Sequence, residues 1–309
     1  MSRKELAERA AATTATYRSG GGSSTAIRSA EDALAYALAR LPATYAACAA
    51  VFAEAGRMAP DFAPARLLDA GCGPGGCSWA ALEAFPSLTS VAWVDASAPF
   101  LALAARLGAE GPAPLKAAAA QRADLTTAAD LPRGDLVMAS YALAEIAPAD
   151  QAPLVRRLWA ACEGLLVLVE PGTPAGYGRI LAAREALIGE RATILAPCPH
   201  HDACPLVGED WCHFRVRLPR SRDHRLTKGA EVPFEDEKFS YLIAARPHVA
   251  VAPRSARVLA PPRVGKPGIE LRLCAPGGLE TRFVARRDKA AHARARRLDW
   301  GDAFEDETP

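Results

Sequence analysis

Blocks of helical and strand-like hydrophobic spacing succeed one another along this chain. Residues 31–55 carry apolar positions at helical spacing, broken at Pro42, and predict two short helices. The short apolar run Pro64-Ala-Arg-Leu-Leu-Asp69 enters Ala70-Gly71-Cys72-Gly73-Pro74-Gly75-Gly76, followed by a helix-like stretch at 78–85. Strand, glycine turn and helix in that order open a doubly wound sheet. Ser90-Val-Ala-Trp-Val-Asp95 predicts the second strand and residues 99–107 a helix. Gly134-Asp-Leu-Val-Met-Ala-Ser140 and Gly164-Leu-Leu-Val-Leu-Val-Glu170 have the continuous apolar character of buried strands, with a helix candidate at 150–163 between them. The expectation is an α/β fold with a mostly parallel sheet covered by helices.

Beyond Glu170 the texture changes. A helix is expected at 174–189 and a strand at 191–196, and then residues 197–237 are rich in Cys, His, Pro and Arg and poor in aliphatics. Lys238-Phe-Ser-Tyr-Leu-Ile-Ala244 predicts the last strand of the sheet. Arg257-Val-Leu, Ile269-Glu-Leu-Arg-Leu-Cys274 and Thr281-Arg-Phe-Val-Ala285 predict a small β extension, and residues 288–298 a basic helix. The expected organisation is a flexible leader (1–30, with a Gly/Ser linker at 19–24) and N-terminal helices (31–64). A core (65–196 and 238–250) follows, with a Cys-rich insertion (197–237) and a β extension with its basic helix (251–309).

Composition narrows the class. Half of the 309 residues are apolar, 23% are charged and the net charge is +2, which excludes wholesale disorder and does not by itself name a partner. Only six of the 37 basic residues are lysine; arginine's planar fork suits phosphate and carboxylate, although a GC-rich coding bias gives the same skew. No stretch of about 18 uninterrupted apolar residues is present, so no membrane partner is expected. The leader lacks an apolar signal region, and its Arg, Ser and Ala content is only partly transit-peptide-like because of Glu5 and Glu8. A soluble monomer in a reducing compartment is expected, in a bacterial cytoplasm or, alternatively, the mitochondrial matrix.

The loop Leu68-Asp69-Ala-Gly71-Cys-Gly73-Pro-Gly75 resembles motif I of class I S-adenosylmethionine-dependent methyltransferases. Its chemistry stands apart from the name. Gly71, Gly73 and Gly75 permit a tight turn and close ligand approach. Asp69, at a strand end, is placed to receive a cationic amino group directly or through water. Asp95, ending the next strand, is placed to accept two ribose hydroxyls. Asp124 sits where the resemblance implies an acid beside the adenine amino group. After the fourth strand comes Ala139-Ser-Tyr-Ala-Leu-Ala-Glu145, which holds no Asn-Pro-Pro-Tyr-like tetrad and no cysteine nucleophile, so the catalytic residue is unknown. Glu145 and Tyr141 are the candidate bases. Cys72 and Cys77, like Cys48 and Cys162, are expected to serve packing.

Cys198, Cys204 and Cys212 are spaced C-x5-C-x7-C, and Cys274 ends a later strand-like run. Four thiolates satisfy a [4Fe–4S] cluster or a tetrahedral Zn2+. The spacings exceed the two-residue zinc knuckle, which favours iron–sulfur; His200, His201 and His213 keep a Cys3His zinc site open. Three isolated core cysteines suit this polar segment poorly.

Taken together, Tyr36-Ala-Leu-Ala-Arg-Leu-Pro-Ala-Thr-Tyr, Leu68 to Gly76, Val169-Glu-Pro-Gly-Thr-Pro174, Ala196-Pro-Cys-Pro-His200, Asp210-Trp-Cys-His-Phe214, Glu235-Asp-Glu-Lys-Phe-Ser-Tyr241, Leu273-Cys274 and Trp300-Gly-Asp302 resemble the methyltransferase-like assembly factors of the small ribosomal subunit, from about residue 31 to 304. The resemblance implies a class I S-adenosylmethionine-dependent methyltransferase (Rossmann-like) sheet with a Cys-rich metal-binding insertion and a small C-terminal β extension. It also implies S-adenosylmethionine, a [4Fe–4S] cluster on Cys198, Cys204, Cys212 and Cys274, and small-subunit RNA and proteins as partners.

RNA contact has its own residue-level case. Arg215, Arg217, Arg220, Arg222, Arg225 and Lys228 form one basic run, and Arg286, Arg287, Arg296 and Arg297 anchor a second. Either alone is an ordinary solvated face. Both flank the Cys segment, and the acidic stretch at 231–237 offers a partner for one of them. Competing readings are an active RNA methyltransferase braced by the metal, and a small-molecule methyltransferase or redox sensor.

Overall fold

The computed structural model describes residues 2–18 and 21–305. Helices α1 (Arg3–Arg18), α2 (Ser23–Ala26) and α3 (Ala30–Met58) precede the first strand. The core then runs β1 (Arg66–Ala70), α4 (Gly76–Ala84), β2 (Ser90–Asp95), α5 (Ala98–Gly108), α6 (Ala113–Lys116), β3 (Ala119–Arg122), β4 (Gly134–Ser140), α7 (Pro148–Ala161), β5 (Cys162–Pro171), α8 (Pro174–Gly189) and β6 (Thr193–Ala196). It continues with β7 (Phe214–Pro219), α9 (Arg222–Lys228) and β8 (Phe234–Ala245). A second sheet comprises β9 (Ala256–Val258), β10 (Arg263–Val264), β11 (Gly268–Ala275), β12 (Gly278–Ala285) and β13 (Ala303–Phe304), with α10 (Lys289–Ala295) before its last strand.

The main sheet has the order β3-β2-β1-β4-β5-β8-β6, parallel from β3 through β5. The long strand β8 runs antiparallel between β5 and β6, and its first half pairs with β7. The continuous apolar run of β5 follows from burial on both faces. Leu165, Val167 and Val169 join the cluster under α3 and α4, whereas Leu166 and Leu168 join the one under α7 and α8.

Three expectations are corrected. Pro42 does not split the N-terminal region, because α3 is one helix of 29 residues containing it. Ala33, Ala39, Ala43, Ala47, Val51 and Phe52 are buried on either side of the proline, so tertiary packing outweighs one lost backbone hydrogen bond. The leader is helical where described: α1 lies against α3, with Arg9 donating to Asp32 at 2.5 Å, while Ser19 and Gly20 of the expected linker lie outside the described residues. Third, the Cys-rich insertion contains a strand of the main sheet. In β7 the alternation Phe214, Val216, Leu218 against Arg215 and Arg217 is a period-two signal that the basic content masked.

By length and composition alone α3 could cross a membrane. It is instead the alanine-rich helix under the sheet, and its charges are spent inside the fold: Arg40 pairs with Glu237 at 3.1 Å and Glu54 with Arg257.

Candidate functional site

The glycine loop forms the floor of a cleft of about 240 Å3 at the carboxyl ends of β1, β2 and β4. Gly71, Gly73 and Gly75 have φ of 74°, 53° and 80°, the left-handed region that glycine enters freely. A Cβ at Gly71 would also stand 2.8 Å from that of Ala142. Gly71, Gly73, Asp95, Asp124, Ser140, Tyr141 and Glu145 line the cleft, while Gly75 lies behind it as the cap of α4.

Asp95 accepts from Gly73 N at 2.8 Å and Ser97 N at 2.7 Å, one bond per oxygen, leaving each oxygen a lone pair toward the cleft. Burial raises its pKa. Asp124 is fixed by Thr126, whose Oγ1 and N donate at 2.6 and 2.8 Å; these bonds lower its pKa. The two acids thus reach the cleft as expected.

Asp69 does not line it. The carboxyl is fully buried beneath the loop, accepting from Ser78 Oγ at 2.7 Å with Oδ1 unpartnered, so the direct contact expected of it is corrected. Desolvation pushes its pKa up to about 7. Between about pH 4 and 7 the folded chain keeps a proton that the unfolded chain has released, so this group's stabilisation is full below that window and lost as pH rises through it. Asp69→Asn is therefore expected to match wild type near pH 4 and to melt higher near pH 8, a gain of at most about 4 kcal/mol. Parallel thermal melts without cofactor check this; an unchanged pH profile would show that Asp69 is ionised in the fold. Glu170, raised to about 7 by burial although Arg179 donates to it at 2.6 Å, leaves part of the slope in place.

Both candidate bases are in the cleft, and both are occupied. Glu145 accepts from Ser23 N and Ser23 Oγ at 2.7 and 2.6 Å, which brings the segment before α3 over the cleft mouth. Tyr141, at the unusual φ of 58°, donates to Glu237 at 2.9 Å, and Glu237 is held by Arg40. No role at this cleft was read from the sequence for Ser23, Tyr36 or Glu237, although Tyr36 and Glu237 lie in stretches that carry the resemblance, because what brings them here is contact between segments distant in sequence. Cys72 and Cys77 are buried under the loop, and Cys77 Sγ lies 3.0 Å from Cys48 Sγ.

The second site is a cavity at the seam between the two sheets. Cys198, Cys204, Cys212 and Cys274 line it together, with Tyr177, Ile180, Arg184, Tyr241, Leu242 and Arg257 among its other walls. Cys274 is buried and the other three are half-buried. Burial raises the pKa of Cys198 and Cys212, and that of Cys274 to about 12. Thiolates there need a cation to stand against. Among the described residues no three His, Cys, Asp or Glu side chains converge so as to hold one ion. His201 bonds the backbone N of Ile194, and His213 stacks on Trp211 at 4.9 Å between ring centres, so neither joins the four thiols; His200 does lie at Cys274.

The basic runs separate. Arg217 makes two 2.7 Å bonds to Asp236, Arg220 and Lys228 bind Glu235, and Arg215 stands 3.7 Å from Asp299, so the acidic stretch neutralises much of the first run. Arg222 opens α9. Arg286, Arg287, Arg296 and Arg297 form no ion pair among the described residues, and all four are exposed.

A parallel sheet ordered β3-β2-β1-β4-β5, continued by antiparallel β8 and then β6, with a glycine loop after β1 and an acid ending β2, defines a doubly wound α/β core of the nucleotide-binding kind. A Cys-lined cavity and a second sheet are added to it. The chain belongs to the family described as mitochondrial small ribosomal subunit Rsm22, whose model matches residues 30–305. It is 31% identical over 293 residues to the human ribosome assembly protein METTL17, mitochondrial, covering 89% of this chain and 63% of the human one. It is 27% identical over 330 residues to the mitochondrial Rsm22-cox11 tandem protein 2 of Schizosaccharomyces pombe, covering 88% of this chain and 43% of that one. The chain thus spans less than two thirds of the length of these curated relatives. Among solved structures it is similar to the magnesium protoporphyrin IX methyltransferase of Synechocystis PCC 6803 with bound SAM, at 15% identity and a TM-score of 0.43, over 70% of this chain and 83% of that one.

Proposed function

We propose that this chain is an assembly factor of the small ribosomal subunit, binding S-adenosylmethionine in the cleft, a [4Fe–4S] cluster in the cavity and small-subunit RNA through its C-terminal lobe. The observation that carries the reading is the meeting of Cys198, Cys204 and Cys212 with Cys274 in one cavity at the seam between the two sheets. A set of four thiols in one largely apolar cavity suits a soft metal centre, and cysteine spacings longer than the two-residue zinc knuckle favour the cluster over a single Zn2+. The relatives' names supply the ribosomal partner and a mitochondrial setting, which gives the matrix more support than a bacterial cytoplasm.

In the cleft, Asp95 would receive the ribose hydroxyls and Asp124 the adenine edge, with Gly71 and Gly73 allowing close approach. The bound cofactor supplies a transferable methyl group. The protein side favours holding over turnover, because Glu145 and Tyr141 are engaged by Ser23 and Glu237. Asp95→Ala is expected to weaken S-adenosylmethionine by about ten- to a hundredfold, the loss of a charge-assisted bond of roughly 1.5–3 kcal/mol. Calorimetry giving equal affinities would remove the ribose assignment. The whole reading is tested by one anaerobic purification that records colour, iron, sulfide, zinc, co-purifying RNA and the number of chains per particle, one being expected. A colourless protein with one zinc per chain overturns the cluster, and transfer of labelled methyl to small-subunit RNA overturns the holding role.

A further inference from the structure

Two guanidinium groups reach the thiol cavity, and they differ in how their charge is met. Arg184 and Arg257 are each 3% exposed. Arg257 is answered by Glu54 and also donates to Gly301 O at 2.8 Å. Arg184 makes no ion pair among the described residues. Its Nη2 donates to the carbonyl oxygens of His200 at 2.9 Å and Asp202 at 2.8 Å, it lines the cavity together with the four cysteines, and its Nε is buried without a partner. Burying a cation without a counter-ion is costly, and folds that do so provide negative charge nearby.

The thiols show where that charge would lie. Tyr177 Oη is 3.2 Å from Cys204 Sγ, and His200 Nε2 is 3.7 Å from Cys274 Sγ. Two of the four sulfurs therefore face a polar side chain, and the Arg184 guanidinium lines the same cavity. Four thiolates around Zn2+, or around an oxidised [4Fe–4S] core of the same charge, leave two net negative charges within apolar walls. Neutral thiols would leave Arg184 unanswered.

We propose that Arg184 is the counter-charge of the thiolate site: a positioning residue, not a ligand, that offsets the negative charge of the bound metal centre while bracing the 198–204 loop by its carbonyls. The proposal rests on the metal reading above. Removing the positive charge loosens the metal and, in a cluster, disfavours the more negative reduced state, so the reduction potential falls. Arg184→Lys keeps the charge and loses the two-carbonyl fork; Arg184→Gln keeps a donor and loses the charge.

Wild type and both variants are purified anaerobically, their metal is identified by elemental analysis, and its release is timed with bathophenanthroline for iron or pyridylazoresorcinol for zinc. Arg184→Gln is expected to release metal at least about tenfold faster than wild type, with Arg184→Lys close to wild type. In iron-loaded protein the midpoint of Arg184→Gln should fall by about 59 mV for each tenfold change in the one-electron equilibrium. Equal release from Gln and Lys variants with an unmoved potential overturns the proposal and leaves a backbone brace. If Arg184→Gln does not load, a loaded and retentive Arg184→Lys supports the charge, and failure of both overturns it. A wild type without metal overturns the underlying reading, and is recognised before any variant is compared.

Discussion

Cys274→Ser is expected to abolish the chromophore, to open the C-terminal lobe to protease and to weaken RNA binding, while the glycine-loop half stays folded and binds its cofactor. The second sheet is thinly supported: its buried residues are Val258, Ile269, Leu271, Leu273, Val284 and three alanines. Its ties to the core include Arg257 with Glu54, Arg272 with Asp210, Arg215 with Asp299, Trp300 against His213, and the thiol cavity itself. In small zinc domains a structural metal contributes on the order of 10 kcal/mol to folding, so the loss of a ligand outweighs the other ties. Sequence alone predicts loosening across 197–302. With β7 and β8 inside the main sheet, cleavage should fall at 197–213 and 251–305 and spare 214–245. Limited proteolysis read by mass spectrometry checks this; a pattern identical to wild type would mean that the metal organises nothing.

Neutralising Arg286, Arg287, Arg296 and Arg297 together is expected to weaken single-stranded RNA on the order of a hundredfold at low salt. It should also flatten the salt dependence by about 0.7 in log–log slope for each phosphate that the variant no longer neutralises. Arg217→Ala and Arg220→Ala serve as the contrast. Their guanidiniums are already spent on Asp236 and Glu235, so their effect on the slope should be small. Binding isotherms over a salt series decide between the lobes. A slope unmoved by the fourfold change makes the second basic run an ordinary solvated face.

The main sheet was legible because β1, β2, β4 and β5 are short apolar runs with punctuated ends; the glycine loop and Asp95 followed from strand-end positions, whereas Asp124 came only from the resemblance. What escaped was whatever depended on contacts distant in sequence. Pro42 carries a local helix-breaking signal, and only the packing against α4 and the sheet overrules it. The acidic stretch at 231–237 was legible as a partner for one basic run, but which run it meets follows only from β7 pairing with β8, which sets Asp236 and Glu235 opposite Arg217 and Arg220. The four cysteines were visible through their spacing, but Arg184 was silent, one of two arginines in α8 with no motif around it. Asp69 illustrates the opposite error: a motif position was found, and the side chain turned under the loop instead of into the cleft.

The position of β8 sets an order of events during synthesis. A ribosome delivers the chain from its N-terminus at about 5–20 residues per second. Until residues 234–245 emerge, β5 has a bare edge and β6 has no strand to pair with. The three cysteines at 198–212 are therefore delivered onto a half-built sheet, and the fourth follows only after that sheet has closed. A nascent chain stalled before β8 would combine an open hydrophobic edge with three unmatched thiols, making that stretch of translation the interval of greatest exposure to aggregation and oxidation. On the proposed metal reading, loading belongs after it, once β11 has brought Cys274 to the seam.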